Sequence, residues 1–402
     1  MSEARTVWPQ MGIPEPKPQP ICGVLSAHCS IKPALVGSSQ KFKEFVMSNV
    51  IPFSVPLANL QSGRIEAMIK CFATQRRFGD DVFWLKENAE LLTILYSSGL
   101  TVDPAQLAPY REFYAGIEKR ILFFPQYYRF LLSITQDLEA LGLGRGKAVP
   151  LANWVDAQSL VSAELSDLQR AEAGRLLQRS GIQIAPNKDG LTERLHKFIN
   201  HSKTFAVPNK KAAYELTHII FYLSEYGHQK PEISNEALIS LEFSGLLALL
   251  DQNVDLLSEI CIAMRFAGCT PPQEWEAWIA EELADYHVSE CANGAVQDHY
   301  HSYFMGNWLA ALCKKPVFEG RLLARAMSFQ AAYKSVSPLR GLSESIFKMD
   351  THRSAEWAKM RGRVTVDLSS DAYSVLELAE KSSPHFEEFF AGFARSNAVL
   401  MR

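Results

Sequence analysis

The chain has 402 residues, 47% hydrophobic and 21% charged, enough apolar matter for one large or two ordinary domains that fold without disulfides. A formal net charge of −3 gives no long-range pull toward nucleic acid or anionic lipid, so neither nucleic acid nor membrane is expected as a partner. Seven scattered cysteines without a CxxC pair, no basic start leading into an apolar stretch, and no apolar run of membrane-spanning length point to reduced thiols in a cytoplasmic protein.

Residues 1–46 are rich in Pro, Gly and Ser and lack sustained periodicity, so a loosely ordered leader is expected there, with Met47 offering a second start. An N-terminal helical region is expected over 47–205. It opens with PLANLQSGRIEAMIKCFATQRR and DDVFWLKENAELLTILYSSG, in which Asp80 or Asp81 caps a helix that stops before Gly99. Further helices are expected near 103–121, 125–140, 156–180 and 190–201, broken at LGLGRGKAVP and IAPNKDG. Within the first of these breaks, GLGRGK (142–147) has the wrong glycine spacing for a phosphate loop, and Ala148 stands where a metal-binding Ser or Thr belongs, so no nucleotide motif is read. Arg76 and Arg77 read as helix-end charges that complement the dipole.

A C-terminal helical region, 206–402, holds KKAAYELTHIIFYLSEYG, SNEALISLEFSGLLALL, DQNVDLLSEICIAMRFAG, PPQEWEAWIAEELADYH and DHYHSYFMGNWLAALC, with RVTVDL (363–368) the one short strand candidate. Ten or more helices on short loops predict an all-α, multi-helix antiparallel architecture, either α/α-toroid-like or two packed helical bundles.

Two stretches pair an acid with an imidazole three residues on: Glu215-x-x-His218 and Asp298-x-x-His301. That spacing puts both groups on one helix face, and such pairs on facing helices are how helical proteins hold iron, manganese or zinc. At about 100° per residue, Asp298, His301, Met305, Trp308, Leu309 and Leu312 share a stripe that must be buried. Glu242 falls likewise among Leu238, Leu241, Gly245 and Leu249, where an unpaired carboxylate would be costly. Glu215, His218, Tyr222 and Glu225 lie opposite the apolar face of their helix, on a side that its aromatics suggest is covered. The candidate metal ligands are therefore Glu215, His218, Glu242, Asp298 and His301. The competing reading makes Asp298 an N-cap and pairs Glu242 with an arginine such as Arg265 or Arg321.

The stretches FGDDVFWLKENAELLTIL, ELTHIIFYLSEYG and DHYHSYFMGNW resemble an uncharacterised bacterial domain-of-unknown-function family of mainly helical proteins, over most of the chain from about Met47. That resemblance implies a helical fold and no mechanism. More distantly, Thr217-His218 and Tyr300-His301, with Glu225 and Gly227 after the first pair, resemble helical proteins of natural-product clusters that carry a Thr-His pair and a later Tyr-His pair. The expected function is that of a metal-dependent enzyme acting on a small molecule or peptide through a carboxylate/histidine site between helices. The alternative is a non-catalytic helical binding or scaffold protein that uses the same residues as caps and buried pairs.

Overall fold

In a computed structural model, the structure describes residues 57–77, 81–183, 190–291, 297–320, 322, 325–332, 337–366 and 368–396. The expected leader lies outside the described residues. Six helices carry the architecture: α2 (Val82–Ser97), α5 (Tyr128–Ala140), α7 (Asp167–Arg179), α10 (Lys210–Leu223), α12 (Val254–Phe266) and α14 (Tyr300–Leu312). Each packs on the next in that order, and α14 packs back on α2, so the six close a ring.

The inner helices run parallel, because contacts between them pair early residues with early and late with late. Lys86 and Glu90 of α2 meet Tyr300 and His301 at the start of α14, each pair at 3.3 Å. Asp255, the second residue of α12, accepts from Tyr214 of α10. At the other end, Trp308 of α14 packs on Phe266 of α12 and Phe221 of α10. Six helix N-termini therefore gather on one rim of the ring. Side chains cap several of them: Asp81, Ser166, Asn209 and Asn253 accept from backbone amides of α2, α7, α10 and α12.

The intervening helices form an outer layer. Among them α1 (Leu57–Thr74) backs α2, and the short α3 (Arg111–Ala115) leads into α4 (Ile117–Phe123), which backs α5. Then α6 (Ala148–Ala157) bridges α5 and α7, and α8 (Leu191–Ile199), followed by the one-turn α9 (Ser202–Phe205), bridges α7 and α10. Helix α11 (Asn235–Leu250) bridges α10 and α12, and α13 (Gln273–Ala284) bridges α12 and α14. A last group, α15 (Pro338–Lys348), α16 (Trp357–Val364), α17 (Ser370–Ser382) and α18 (Phe386–Ala394), covers α11 and α13 from outside. This in-and-out alternation is the α/α-toroid arrangement, and it explains why α11 and α12 are apolar nearly all round: each is covered on both sides. Two glycines permit the close layer contacts. A Cβ at Gly245 of α11 would lie 2.2 Å from the Trp275 ring, and one at Gly306 of α14 would lie 2.7 Å from Leu283.

Residues 54–402 form one compact unit, so the expected division at 205/206 falls inside it, between α9 and α10. The ring itself draws three helices from each side of that point. The expected strand at RVTVDL is overturned: Arg363 and Val364 end α16, whose Trp357, Met360 and Val364 form a buried helical stripe that outweighs the β-branched composition. The strands observed among the described residues are β1 (His287–Glu290) and β2 (Met327–Gln330), paired antiparallel with His287 opposite Gln330. The helix expected over 156–180 is interrupted, since α6 ends at Ala157 and α7 begins only at Asp167. The glycine loop 142–147 wraps an internal anion: Glu139 Oε1 accepts from the amides of Lys147 (2.7 Å) and Ala148 (3.0 Å), where a phosphate loop would hold its ligand. No helix among the described residues is long and apolar enough to cross a membrane.

Candidate metal centre

On the N-terminal rim, four inner helices bring carboxylates and imidazoles together. Helix α12 supplies Asp255 and Glu259, one turn apart on the stripe that continues to Ile262 and Phe266. Helix α14 supplies His301, α10 supplies Tyr214, Thr217 and His218, and α2 supplies Lys86 and Glu90. His301 Nε2 lies 3.4 Å from Asp255 Oδ1 and 3.7 Å from Glu259 Oε1. One ligand atom from each of Asp255, Glu259 and His301 lies within 4.8 Å of the others. For comparison, ligand bonds of about 2.1 Å set donor atoms roughly 3.0–3.4 Å apart in octahedral or tetrahedral sites.

Each of these ligand groups is held from behind. The far oxygen of Asp255, Oδ2, accepts from Tyr214 Oη at 2.6 Å, and the far oxygen of Glu259, Oε2, accepts from Thr217 Oγ1 at 2.6 Å. The second nitrogen of His301, Nδ1, lies 3.3 Å from Glu90 Oε2, and Glu90 Oε1 is in turn 3.2 Å from Lys86 Nζ. A carboxylate behind the imidazole and hydrogen-bonded partners behind the carboxylates is the outer-shell pattern of protein metal sites. His218 stands across from the cluster with Nδ1 2.8 Å from the Tyr214 carbonyl and 3.6 Å from Glu259 Oε2. Because a carbonyl only accepts, Nδ1 carries a proton, and the tautomer this selects has its lone pair on Nε2.

Electrostatics mark the same spot. Burial disfavours the His301 cation, yet Asp255 and Glu90 outweigh it and raise the imidazole well above its ordinary value. Burial also opposes ionisation of Glu90, but Lys86 and His301 bring its carboxyl down to about 2. Asp255 moves the other way, raised by burial and by neighbouring Glu259 against the pull of His301. Despite this charge, Glu90 Oε2, Asp255 Oδ1 and His301 Nδ1 are buried without an aligned hydrogen-bond partner among the described residues. Such deficits cost about 1–3 kcal/mol each when nothing else compensates.

Of the five ligands expected from sequence, the structure brings His218 and His301 to this cluster and sends the other three elsewhere. Glu215, whose side chain is 36% exposed, faces Lys211 at 3.8 Å one turn back on α10. Glu242 is on the outer helix α11 and accepts from Ser383 Oγ at 2.7 Å. Asp298 precedes α14 and is gripped by Arg76, with Oδ2 2.8 Å from Nη1 and Oδ1 3.1 Å from Nη2. Arg76 is thus a fully buried ion-pair partner rather than a solvated helix-end charge. The cluster's acids, Glu90, Asp255 and Glu259, are residues the acid-x-x-His spacing does not find.

No curated protein and no solved structure matches the chain. The family model for a domain of unknown function, DUF6902, matches residues 47–396, and the chain belongs to that family.

Proposed function

We propose that this protein is a metal-dependent enzyme whose ion is held by Asp255, Glu259 and His301 on the N-terminal rim of the helix ring. The observation that carries this reading is the division of labour within each ligand group. Asp255 Oδ2 and Glu259 Oε2 are anchored by Tyr214 and Thr217, while Asp255 Oδ1 and Glu259 Oε1 face His301 Nε2. Two carboxylates and one imidazole suit iron(II), manganese(II) or zinc(II) and leave positions open for water or substrate. Charge agrees: once an ion displaces the His301 proton, Glu90, Asp255 and Glu259 against Lys86 leave two negative charges, which a divalent ion balances.

Bound there, the ion supplies Lewis-acid activation of a water or a substrate oxygen. The chain's own residues do the rest. His218 offers Nε2 as the base, oriented by the Tyr214 carbonyl. Tyr300 and Lys86, 3.3 Å apart beside Glu90, provide polar contacts for a small molecule or peptide entering between the inner helix N-termini.

Metal content tests this reading. Protein purified, stripped with chelator and reloaded should retain close to one equivalent of manganese, iron or zinc, and a Glu259→Gln/His301→Gln variant should retain none. His218→Gln should keep the metal, since its place is the base's. Wild-type protein that stays metal-free yet folded would overturn the reading in favour of a buried ion-pair cluster in a scaffold protein.

A further inference from the structure

We propose that Arg76 is the positioning residue that sets the contact between Glu90 and His301, and through it the geometry of the metal centre; the second half of this statement rests on the metal reading above. Arg76 lies just beyond α1, its side chain wholly buried, and it spends all five of its N–H donors. Nε and Nη2 reach Glu87 (3.2 and 3.4 Å), Nη1 and Nη2 reach Asp298 (2.8 and 3.1 Å), and Nη1 also donates to the Met327 carbonyl of β2. The two gripped acids stand in matching places. Glu87 precedes Glu90 by three residues on α2, and Asp298 precedes His301 by three residues at the foot of α14. On α2 less than one helical turn, about 4.5 Å of rise, separates Glu87 from Glu90, and Asp298 lies in the segment that leads directly into α14 ahead of His301.

Asp298 extends the hold, accepting from the Tyr300 amide at 3.3 Å and the Phe329 amide at 2.9 Å, so the first residue of α14 and the middle of β2 are tied to the same guanidinium. The Tyr300 ring lies 5.2 Å from the Arg76 guanidinium carbon, and the Phe72 ring 4.8 Å. Arg77 adds a second cation on Glu87 at 3.0 Å, so two positive and two negative charges close the clamp at neutrality. Only a planar, five-donor group spans two carboxylates in this way, and lysine, a point charge with three donors, cannot reproduce it.

The test compares Arg76→Lys with Arg179→Lys, a control that breaks another largely buried pair, Arg179 with Asp137 at 2.6 Å, at the opposite end of the ring. The manganese(II) dissociation constant should weaken by up to about 10- to 100-fold in Arg76→Lys, the loss expected when an outer-shell partner such as Glu90 is displaced from its ligand, and should stay within about twofold in Arg179→Lys. A second readout needs no metal. The coupling between Glu90→Gln and His301→Gln, measured by urea denaturation of chelated protein in a double-mutant cycle, should fall by more than half in the Arg76→Lys background and persist in the Arg179→Lys background. Should Arg76→Lys fail to fold, Glu87→Gln, which keeps the shape and drops the charge, should move both readouts the same way to a lesser extent. Unchanged coupling in these backgrounds overturns the positioning role, whether or not manganese binds. Wild-type protein that binds no manganese sinks the metal reading alone and leaves the coupling to decide Arg76.

Discussion

Two buried charge clusters sit side by side on α2 and α14, and they are built on opposite principles. Around Arg76, every donor of the guanidinium meets an oxygen, and the charges of Arg76 and Arg77 balance those of Glu87 and Asp298. Around His301, three carboxylates face two imidazoles and one lysine; Glu90 Oε2 and His301 Nδ1 face each other at 3.3 Å, and Asp255 Oδ1 lacks an aligned partner among the described residues. Burial is common to both clusters. Satisfaction is not: the clamp is closed on itself, whereas the cluster around His301 leaves a buried carboxylate oxygen of Asp255 open, and the metal reading proposed above rests on that difference.

The largest expected effect breaks the clamp. Arg76→Met leaves Glu87 and Asp298 buried opposite Arg77 alone, and losing one partner of a buried pair costs about 3–5 kcal/mol. Urea denaturation should show a loss of that size, and a loss below about 1 kcal/mol would mean that the clamp carries no stability. The next comparison makes the same chemical change in each cluster. Asp298→Asn should destabilise by about 3 kcal/mol, because it unbalances Arg76. Asp255→Asn in chelated protein should cost less than about 1 kcal/mol, because burial and Glu259 already disfavour that carboxylate. Equal losses would erase the distinction between the two regions.

A pH series sharpens the contrast further. The imidazole of His301 is raised above its unfolded value, so its contribution to metal-free stability is complete below about pH 6.5 and is lost as pH climbs through the folded value. Glu90, brought down to about 2, contributes fully above about pH 4.5, and that contribution is lost as pH falls toward 2. The stability gap between chelated wild type and His301→Gln should therefore narrow between pH 6 and pH 9, by about 1.4 kcal/mol for each unit of the shift. A gap independent of pH over that range would show that His301 is not held as a cation. Metal affinity should run the other way and tighten with rising pH, since the ion displaces the imidazole proton. The smallest expected effect is at Glu215→Gln on the rim, which should change stability by less than about 0.5 kcal/mol and leave metal content untouched.

These outcomes also bear on what the sequence makes legible. The 3.6-residue periodicity and the turn residues place most helices: Asp81 caps α2 as expected, accepting from the Phe83 amide, and Gly99 follows its end at φ +71°. Both histidines of the cluster are legible too, because each lies one or two turns from buried residues of its own helix, Tyr222 for His218 and Met305 and Trp308 for His301. The acids were harder. Local spacing couples an imidazole to the acid on its own helix, whereas ring closure couples His301 to acids on α12 and α2, a relation no window of one helix contains. One signal was present: in VDLLSEICIAMRF, Asp255 and Glu259 share a stripe with Ile262 and Phe266, so two acids fall on a face that the core must cover. Glu87 carries the same mark beside Trp84, Leu91 and Ile94, all buried. Arg76 carries none, since its partners lie 11 and 222 residues away.

The most direct test of the metal centre is anomalous diffraction from crystals grown or soaked with manganese(II). The account expects an anomalous peak bounded by Asp255 Oδ1, Glu259 Oε1 and His301 Nε2, roughly 2.0–2.2 Å from each, with Glu90 still behind the imidazole and the Arg76 clamp unchanged. Well-ordered crystals in which those three side chains are resolved and no anomalous peak lies among them, at millimolar manganese and a pH above 7, would contradict it.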